Sequence, residues 1–148
     1  MPTDPARIAR GAAAGAVAAT VWALQQPADQ RVFGVAYDDT ELLGKLVTRG
    51  PAWRPVGFAM HVANGAAFGA GYAAVRDRLP LPAAARGPFV AMVENVASWP
   101  GVAAADRLHP ARDELPKLWR TPGAFPQATW RHLLFGVVLG EVERRLNR

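Results

Sequence analysis

Two histidines in this chain of 148 residues occur in the same sequence setting. His61 begins the segment H-x-x-x-G-x-x-x-G, and His132 begins a second copy of it 71 positions later. A spacing of four residues places each imidazole on the same stripe of a helix as the glycines that follow it. A buried imidazole can bind a ligand, move a proton or bond a neighbouring backbone group. We therefore take both histidines as candidate ligand-binding residues, with a purely structural hydrogen bond as the alternative.

Other polar side chains can complete a site around these histidines. Arg131 offers the fixed donors that recognise a carboxylate or a phosphate, although a long arginine side chain can equally snorkel to solvent. The candidates for a polar pocket at one end of a helical bundle are His61, Asn64, Arg131, His132, Gln25, Gln26 and Asp29. Glu94 is an eighth candidate nearer the other end, as a proton-relay residue or as a structural polar group.

The composition excludes several kinds of chemistry. The chain has no cysteine, so disulfides, thiolate metal sites and cysteine nucleophiles are ruled out. No catalytic or metal-binding motif is present, and we predict no catalytic residues, no metal and no cofactor. A b-type haem held by His61 and His132 is the alternative, although glycine stripes on those helices leave little room for a porphyrin.

Charged residues are unevenly distributed along the chain. The net charge is +5 and the mean hydropathy only +0.02, but four stretches carry few or no charges: 11–28, 56–75, 88–105 and 125–140. Roughly twenty apolar residues suffice to cross a bilayer. The sequence thus predicts an all-α transmembrane four-helix bundle, with a soluble four-helix protein as the alternative. The first stretch, which follows Arg7 and Arg10, is interpreted as a retained helix and not as a signal peptide.

The loop charges predict an orientation in the membrane. Basic residues concentrate at both termini and in the short middle connection, whereas most acids lie in the two long connections. The positive-inside rule then makes both termini cytoplasmic, in a multi-pass protein of the bacterial inner membrane. All five tryptophans fall near the outer helix ends, which is typical of an interfacial belt.

The repeated histidine segment extends to a second match. Glu41 begins E-L-L-G-K-L and Asp113 begins D-E-L-P-K-L, at nearly the same offset. Two matches in the same order predict two tandem helical hairpins, about 7–78 and about 87–148, in one domain. Each matched loop segment is predicted to form a short interfacial helix. The glycines predicted to pack helices together are Gly11, Gly15, Gly65, Gly69, Gly136 and Gly140.

The segment from Gly57 to Tyr72, G-F-A-M-H-V-A-N-G-A-A-F-G-A-G-Y, and the segment G-A-A-A-G from Gly11 resemble a known family. They are similar to small bacterial inner-membrane proteins of the YagU-like type. The resemblance covers mainly the first two predicted spans. It implies four helices and no assigned activity.

The predicted function follows from this organisation. We expect a non-enzymatic accessory or assembly subunit of the membrane, or a binder of a small or lipidic ligand in the outer half of the bundle. The alternative is a membrane enzyme or a proton-coupled carrier that uses His61, Glu94 and His132. The expected partners are the lipid bilayer and a homo-oligomer or larger membrane complex. Nucleic acid is excluded because the arginines form no continuous basic face.

Overall fold

The computed structural model describes residues 4–147, and that part of the chain is helical, with no strand. Its helices are α1 (Pro5–Phe33), α2 (Asp39–Val47), α3 (Trp53–Val75), α4 (Ala83–Leu108) and α5 (Ala124–Leu146), with a single 3₁₀ turn at Arg76–Arg78. The all-α prediction is confirmed. Arg148, the last residue of the second predicted hairpin, lies outside the described residues.

None of the helices between residues 4 and 147 has a stretch long and apolar enough to cross a membrane. The predictions of four transmembrane spans, of an integral membrane protein and of an inner-membrane location are therefore wrong. The error came from equating a lack of charge with apolarity. The uncharged stretches contain glycines and uncharged polar side chains that lower their hydropathy, among them Gln25 and Gln26 in α1 and Asn64 in α3.

Short signals at its two ends define the longest helix, α1. The carboxylate of Asp4 accepts a hydrogen bond from the backbone N–H of Ala6 (3.0 Å), and Pro5 stands at the first helical position, where its missing N–H costs nothing. Gly34 ends the helix in the left-handed conformation (φ +68°). Helix α1 can therefore extend along the whole bundle and contact both α3 and α5.

The long helices pack in the order α3, α1, α5, α4, and α2 packs on α3. Glycines bring the backbones together: a Cβ at Gly65 would lie 2.7 Å from the carbonyl oxygen of Gly15, and one at Gly136 would lie 2.7 Å from that of Gly87. These contacts join α1 to α3 and α4 to α5 in antiparallel pairs. In contrast, α3 and α4 barely touch, although they are consecutive in the chain. The bundle thus has one open side.

Only the first of the two predicted loop helices is present. Asp38 caps α2 by accepting from the N–H groups of Thr40 (2.7 Å) and Glu41 (3.1 Å). The matching segment of the second long connection, 109–123, forms turns and no helix. Pro116 stands there where the first copy has Gly44, and proline has no N–H and disfavours a helical residue before it.

The two long connections lie together at one end of the bundle. Lys45 of α2 pairs with Glu114 (2.8 Å), and His109 donates from Nε2 to the carbonyl oxygen of Leu42 (2.9 Å). The start of α1 and the end of α5 lie at the other end, where Nε of Arg10 donates to Asn147 (2.7 Å). Helix α2 and the segment 109–118 consequently cover the loop end of the open side.

The tryptophans near this end bond within the fold and form no interfacial belt. Trp22 is buried and donates its indole N–H to a carboxylate, and Trp130 donates to a side-chain amide. Trp99 packs against Trp119, with 6.4 Å between ring centroids. Tryptophan combines a large apolar ring with a polar N–H, so it can anchor loops to helix ends. Tryptophans in that role lie near helix ends, as they also do at a membrane interface.

Candidate functional site

The eight predicted ligand-binding residues separate into two regions in the structure. One is a closed cluster of ion pairs and amides between α1 and α5, here named the Arg131 cluster. The other is a cavity on the open side between α3 and α4. The cluster contains Gln25, Gln26, Asp29 and Arg131, and the cavity is lined by His61, Asn64, Glu94 and His132.

Arg131 is fully buried and binds acids of the protein itself. Its Nε and Nη2 donate to the two carboxylate oxygens of Asp29 (2.7 and 2.6 Å), and its Nη1 donates to Asp39 (2.8 Å). Burial alone would lower the pKa of Arg131, but the bonds to Asp29 and Asp39 outweigh it and raise that pKa above its usual value. The guanidinium is therefore charged, forms a bidentate ion pair with Asp29 and is enclosed by the protein.

Amide side chains complete the hydrogen bonding of this cluster. Asp29 also accepts from Gln127 (2.8 Å) and from Gln25 (2.5 Å). Gln26 accepts from the backbone N–H of Asp39 (2.8 Å), which fixes the start of α2. The Asp29 carboxylate thus accepts four hydrogen bonds, the number its lone pairs allow. Arg131 neither snorkels to solvent nor faces a ligand, and the cluster connects α1, α2 and α5.

The cavity has a volume of about 290 Å³ and lies between α3 and α4, with α1 and α5 behind it. All five helices contribute side chains to it, because α2 covers its loop end. Most of its lining is apolar, and the large aromatic members are Trp22, Tyr37, Phe68, Trp99 and Phe135. The open side of the bundle is therefore a cavity lined by residues from all five helices.

Both histidines pack edge-on against Trp22 in the wall of this cavity. The centroid of the Trp22 ring lies 5.5 Å from that of His61 and 4.7 Å from that of His132. Nε2 of His61 donates to the carbonyl oxygen of Ala19 (3.1 Å). Burial lowers the pKa of His61, so its imidazole is neutral at pH 7.

Glu94 and His132 form a pair that sequence reasoning had placed apart. Oε2 of Glu94 lies 2.6 Å from Nε2 of His132, and Nδ1 of His132 donates to the carbonyl oxygen of Ala128 (2.7 Å). The hydrogen bond from His132 lowers the pKa of Glu94. Because the carbonyl oxygen can only accept, Nδ1 of His132 carries a hydrogen. The side chain of Glu94 is 40 % exposed, so the carboxylate also faces solvent.

The geometry does not suit a bis-histidine haem. Trp22 occupies the space beside both imidazoles, and both ring nitrogens of His132 are hydrogen-bonded within the protein. An axial ligand needs a free imidazole nitrogen that points at the iron. Within residues 4–147, moreover, no three His, Asp or Glu side chains are grouped so that they could hold a metal ion.

Several residues of these two regions were not singled out from the sequence. Trp22 was assigned to a membrane interface, and Asp39 was counted only as a loop acid. Gln127 carried a usable signal, because it precedes Arg131 by four residues and so lies on the same stripe of α5. Asn95 donates to Thr129 of α5 (3.1 Å), a partner that is known only from the packing.

Comparison with known proteins does not add to this description. No family model, no curated protein and no solved structure matches the chain, and the YagU-like resemblance is therefore untested.

Proposed function

We propose that this protein binds a small molecule in the cavity between α3 and α4. The observation that carries the proposal is a single lined space of about 290 Å³, mostly apolar, into which a few polar groups converge. Ligand sites in proteins have this composition, and their volumes begin at about 300 Å³. The expected ligand is therefore small, with one ring or an equivalent apolar body.

The packing of the two hairpins supports a binding site at this cavity. We interpret α1 with α3 and α4 with α5 as the two tandem hairpins, each joined through glycines. Two contacts between such hairpins are then equivalent, namely α1 with α5 and α3 with α4. The first is closed by the Arg131 cluster, and the second is the open side. In the described part of the chain, no helix packs across the cavity at the open contact, and the 40 % exposed side chain of Glu94 can be reached by a ligand.

Binding is favoured over catalysis because the polar groups of the lining already bond one another. His132 uses both ring nitrogens, and the hydroxyl of Tyr37 donates to Asp39 (2.5 Å). The hydroxyl of Ser98 donates to the carbonyl oxygen of Asn95 (3.4 Å). Within residues 4–147 this hydroxyl makes no hydrogen bond to a histidine. An activated nucleophile needs a base within hydrogen-bond reach.

The test is a plug in the cavity. Ser98 lines the cavity from α4 and is exposed, so Ser98→Trp should fill its mouth without disturbing the core. Ala97 is exposed on the same helix but does not line the cavity, so Ala97→Trp is the matched control. The probe is 2-phenylethanol, and its binding is followed by saturation-transfer NMR.

We expect wild type and Ala97→Trp to bind the probe and Ser98→Trp to lose binding. Asn64→Trp, from the opposite wall on α3, should act like Ser98→Trp, with Ala63→Trp as its control. If the plugged variants bind 2-phenylethanol as well as wild type does, the cavity is not the site and the proposal is wrong.

A further inference from the structure

The cavity differs in charge from the rest of the chain. The chain has 17 Lys and Arg against 12 Asp and Glu, yet within residues 4–147 no Lys or Arg lines this cavity. Its titratable lining residues are Tyr37, Asp39, His61, Glu94 and His132. The lining therefore contains two acids and no permanently charged base.

Two of these groups are uncharged at pH 7. Burial beside Asp39 raises the pKa of Tyr37, and burial lowers the pKa of His61. The phenol and the imidazole thus add no charge, and the electrostatics of the cavity depend on Asp39, Glu94 and His132.

The buried guanidinium behind the cavity does not neutralise it. Arg131 pairs with both Asp29 and Asp39, so this group of three keeps one net negative charge. Asp38 lies next to it and caps α2. At His61 the charges of Asp39 and Asp38 act against that of Arg131, with Asp39 contributing most. In a partly enclosed space such a field concentrates ions of the opposite sign.

Glu94 offers a point of attachment at the cavity mouth. Its Oε2 is bonded to His132, but a carboxylate has about four acceptor positions and 40 % of this side chain is exposed. An ammonium group can therefore donate to Glu94 from the solvent side while the bond to His132 stays in place.

The remaining lining favours an organic cation over a metal ion. The rings of Trp22, Phe68 and Phe135 lie behind Glu94 in the same cavity. Aromatic rings attract organic cations and bury the apolar part of such a ligand. A hard metal ion needs six or more oxygen ligands, which this apolar lining does not provide.

We propose that the cavity binds a small organic cation, with its ammonium group at Glu94 and its apolar body against Trp22, Phe68 and Phe135. This inference rests on the proposed function and specifies the chemical class of the ligand. Anions of the same shape should be excluded by Asp39 and Glu94.

The experiment compares three probes that share one phenyl ring and differ in charge. Phenethylamine is a cation at pH 7, 2-phenylethanol is neutral and phenylacetate is an anion. Affinities are measured by calorimetry at low ionic strength on the full chain. We expect phenethylamine to bind about tenfold or more tightly than 2-phenylethanol, and phenylacetate to bind most weakly.

A variant then assigns the preference to one residue. Glu94→Gln should reduce the affinity for phenethylamine about tenfold and leave that for 2-phenylethanol unchanged. Glu141→Gln is the control, because Glu141 lies on α5 and does not line the cavity. Should Glu94→Gln fail to fold, the ranking of the three probes on the wild type still decides the matter.

The outcomes separate this inference from the proposed function. If the three probes bind equally, or phenylacetate binds most tightly, or Glu94→Gln keeps the preference, the cation assignment is wrong. The cavity itself remains supported in those cases if Ser98→Trp abolishes binding. Lack of binding by all three probes contradicts both proposals.

Discussion

Arg131 and His132 are adjacent in the chain and have opposite surroundings. Consecutive side chains on a helix point about 100° apart, so Arg131 faces α1 and His132 faces α4. The first meets a closed contact and is enclosed by Asp29 and Asp39, whereas the second lines the open cavity with Glu94. The contact that each face of α5 makes therefore decides whether the polar group on it is enclosed or lines the cavity.

The two regions also differ in what holds them. A buried ion pair must recover the cost of leaving water, and in the Arg131 cluster the carboxylate of Asp29 accepts four hydrogen bonds. The pair of His132 and Glu94 is partly solvated and needs no such network. Trp22 connects the two regions, because its N–H donates to Asp39 (2.7 Å) while its ring contacts His132.

The largest expected effect comes from opening the closed region. Arg131→Met leaves the buried carboxylate of Asp29 and the partly buried carboxylate of Asp39 without their cation, and should lower the free energy of unfolding by about 3–5 kcal/mol. Urea denaturation followed by circular dichroism measures it. Arg144→Met, which breaks a surface pair on the same helix, should change it by less than about 1 kcal/mol.

A double variant sharpens this result. Asp29→Asn with Arg131→Met should destabilise less than the sum of the two single changes, because each single change leaves an unpaired charge. Strict additivity, or a loss of under about 1 kcal/mol for Arg131→Met, would contradict the assignment of a buried ion cluster.

The next effect concerns the glycine contacts that join α1 to α3 and α4 to α5. A Cβ at Gly65 would lie 2.5 Å from the Cβ of Ala19, so Gly65→Ala should destabilise by about 1–3 kcal/mol. Gly71 is on the same helix and faces open space, so Gly71→Ala should stabilise by up to about 1 kcal/mol. Thermal denaturation should therefore show a lower melting temperature for Gly65→Ala and a higher one for Gly71→Ala. Equal changes in melting temperature would refute the close contact at Gly65.

A smaller effect should appear in the pH dependence of stability. Burial lowers the pKa of His61, so the unfolded chain binds more protons between the folded pKa and the unfolded value of about 6.5. The stabilisation is complete above about pH 6.5 and declines as the pH falls towards the folded pKa. His61→Gln keeps a donor for Ala19 and should flatten the decline between pH 7 and pH 5. Identical slopes for the two proteins would mean that His61 is not desolvated.

The smallest effect is expected from filling the open region. Ser98→Trp adds a ring to an exposed position of the cavity wall and should change the free energy of unfolding by less than about 0.5 kcal/mol. Thermal denaturation beside Ala97→Trp measures it. A large destabilisation would show that α3 and α4 need their separation for folding, which would remove the contrast between the closed and open contacts.

Some features of the site could be predicted from local patterns. Asp38 before α2 and Gly34 after α1 are end signals that act within a few residues. The repeated histidine segment indicated that His61 and His132 occupy comparable places, and both contact Trp22. Pro116, which replaces Gly44 in the matched segment, was a sign in the sequence against the second loop helix, although the repeat led to its prediction.

Other features depended on distances that a sequence does not contain. Arg131 was assigned to a ligand and Glu94 to the far end of the bundle, since the rotation of α5 and the stagger of α4 set their partners. The membrane prediction was wrong because stretches without charge were taken to be apolar, although they contain glycines and uncharged polar side chains.

By itself the sequence determined the four long helices and many of the positions where their backbones approach, because glycines and four-residue spacing act locally. Only the tertiary structure decided that Arg131 closes one contact while His132 and Glu94 line a cavity at the other. That choice depends on which faces of α4 and α5 meet α3 and α1, and side chains far apart in sequence become partners only when those helices pack.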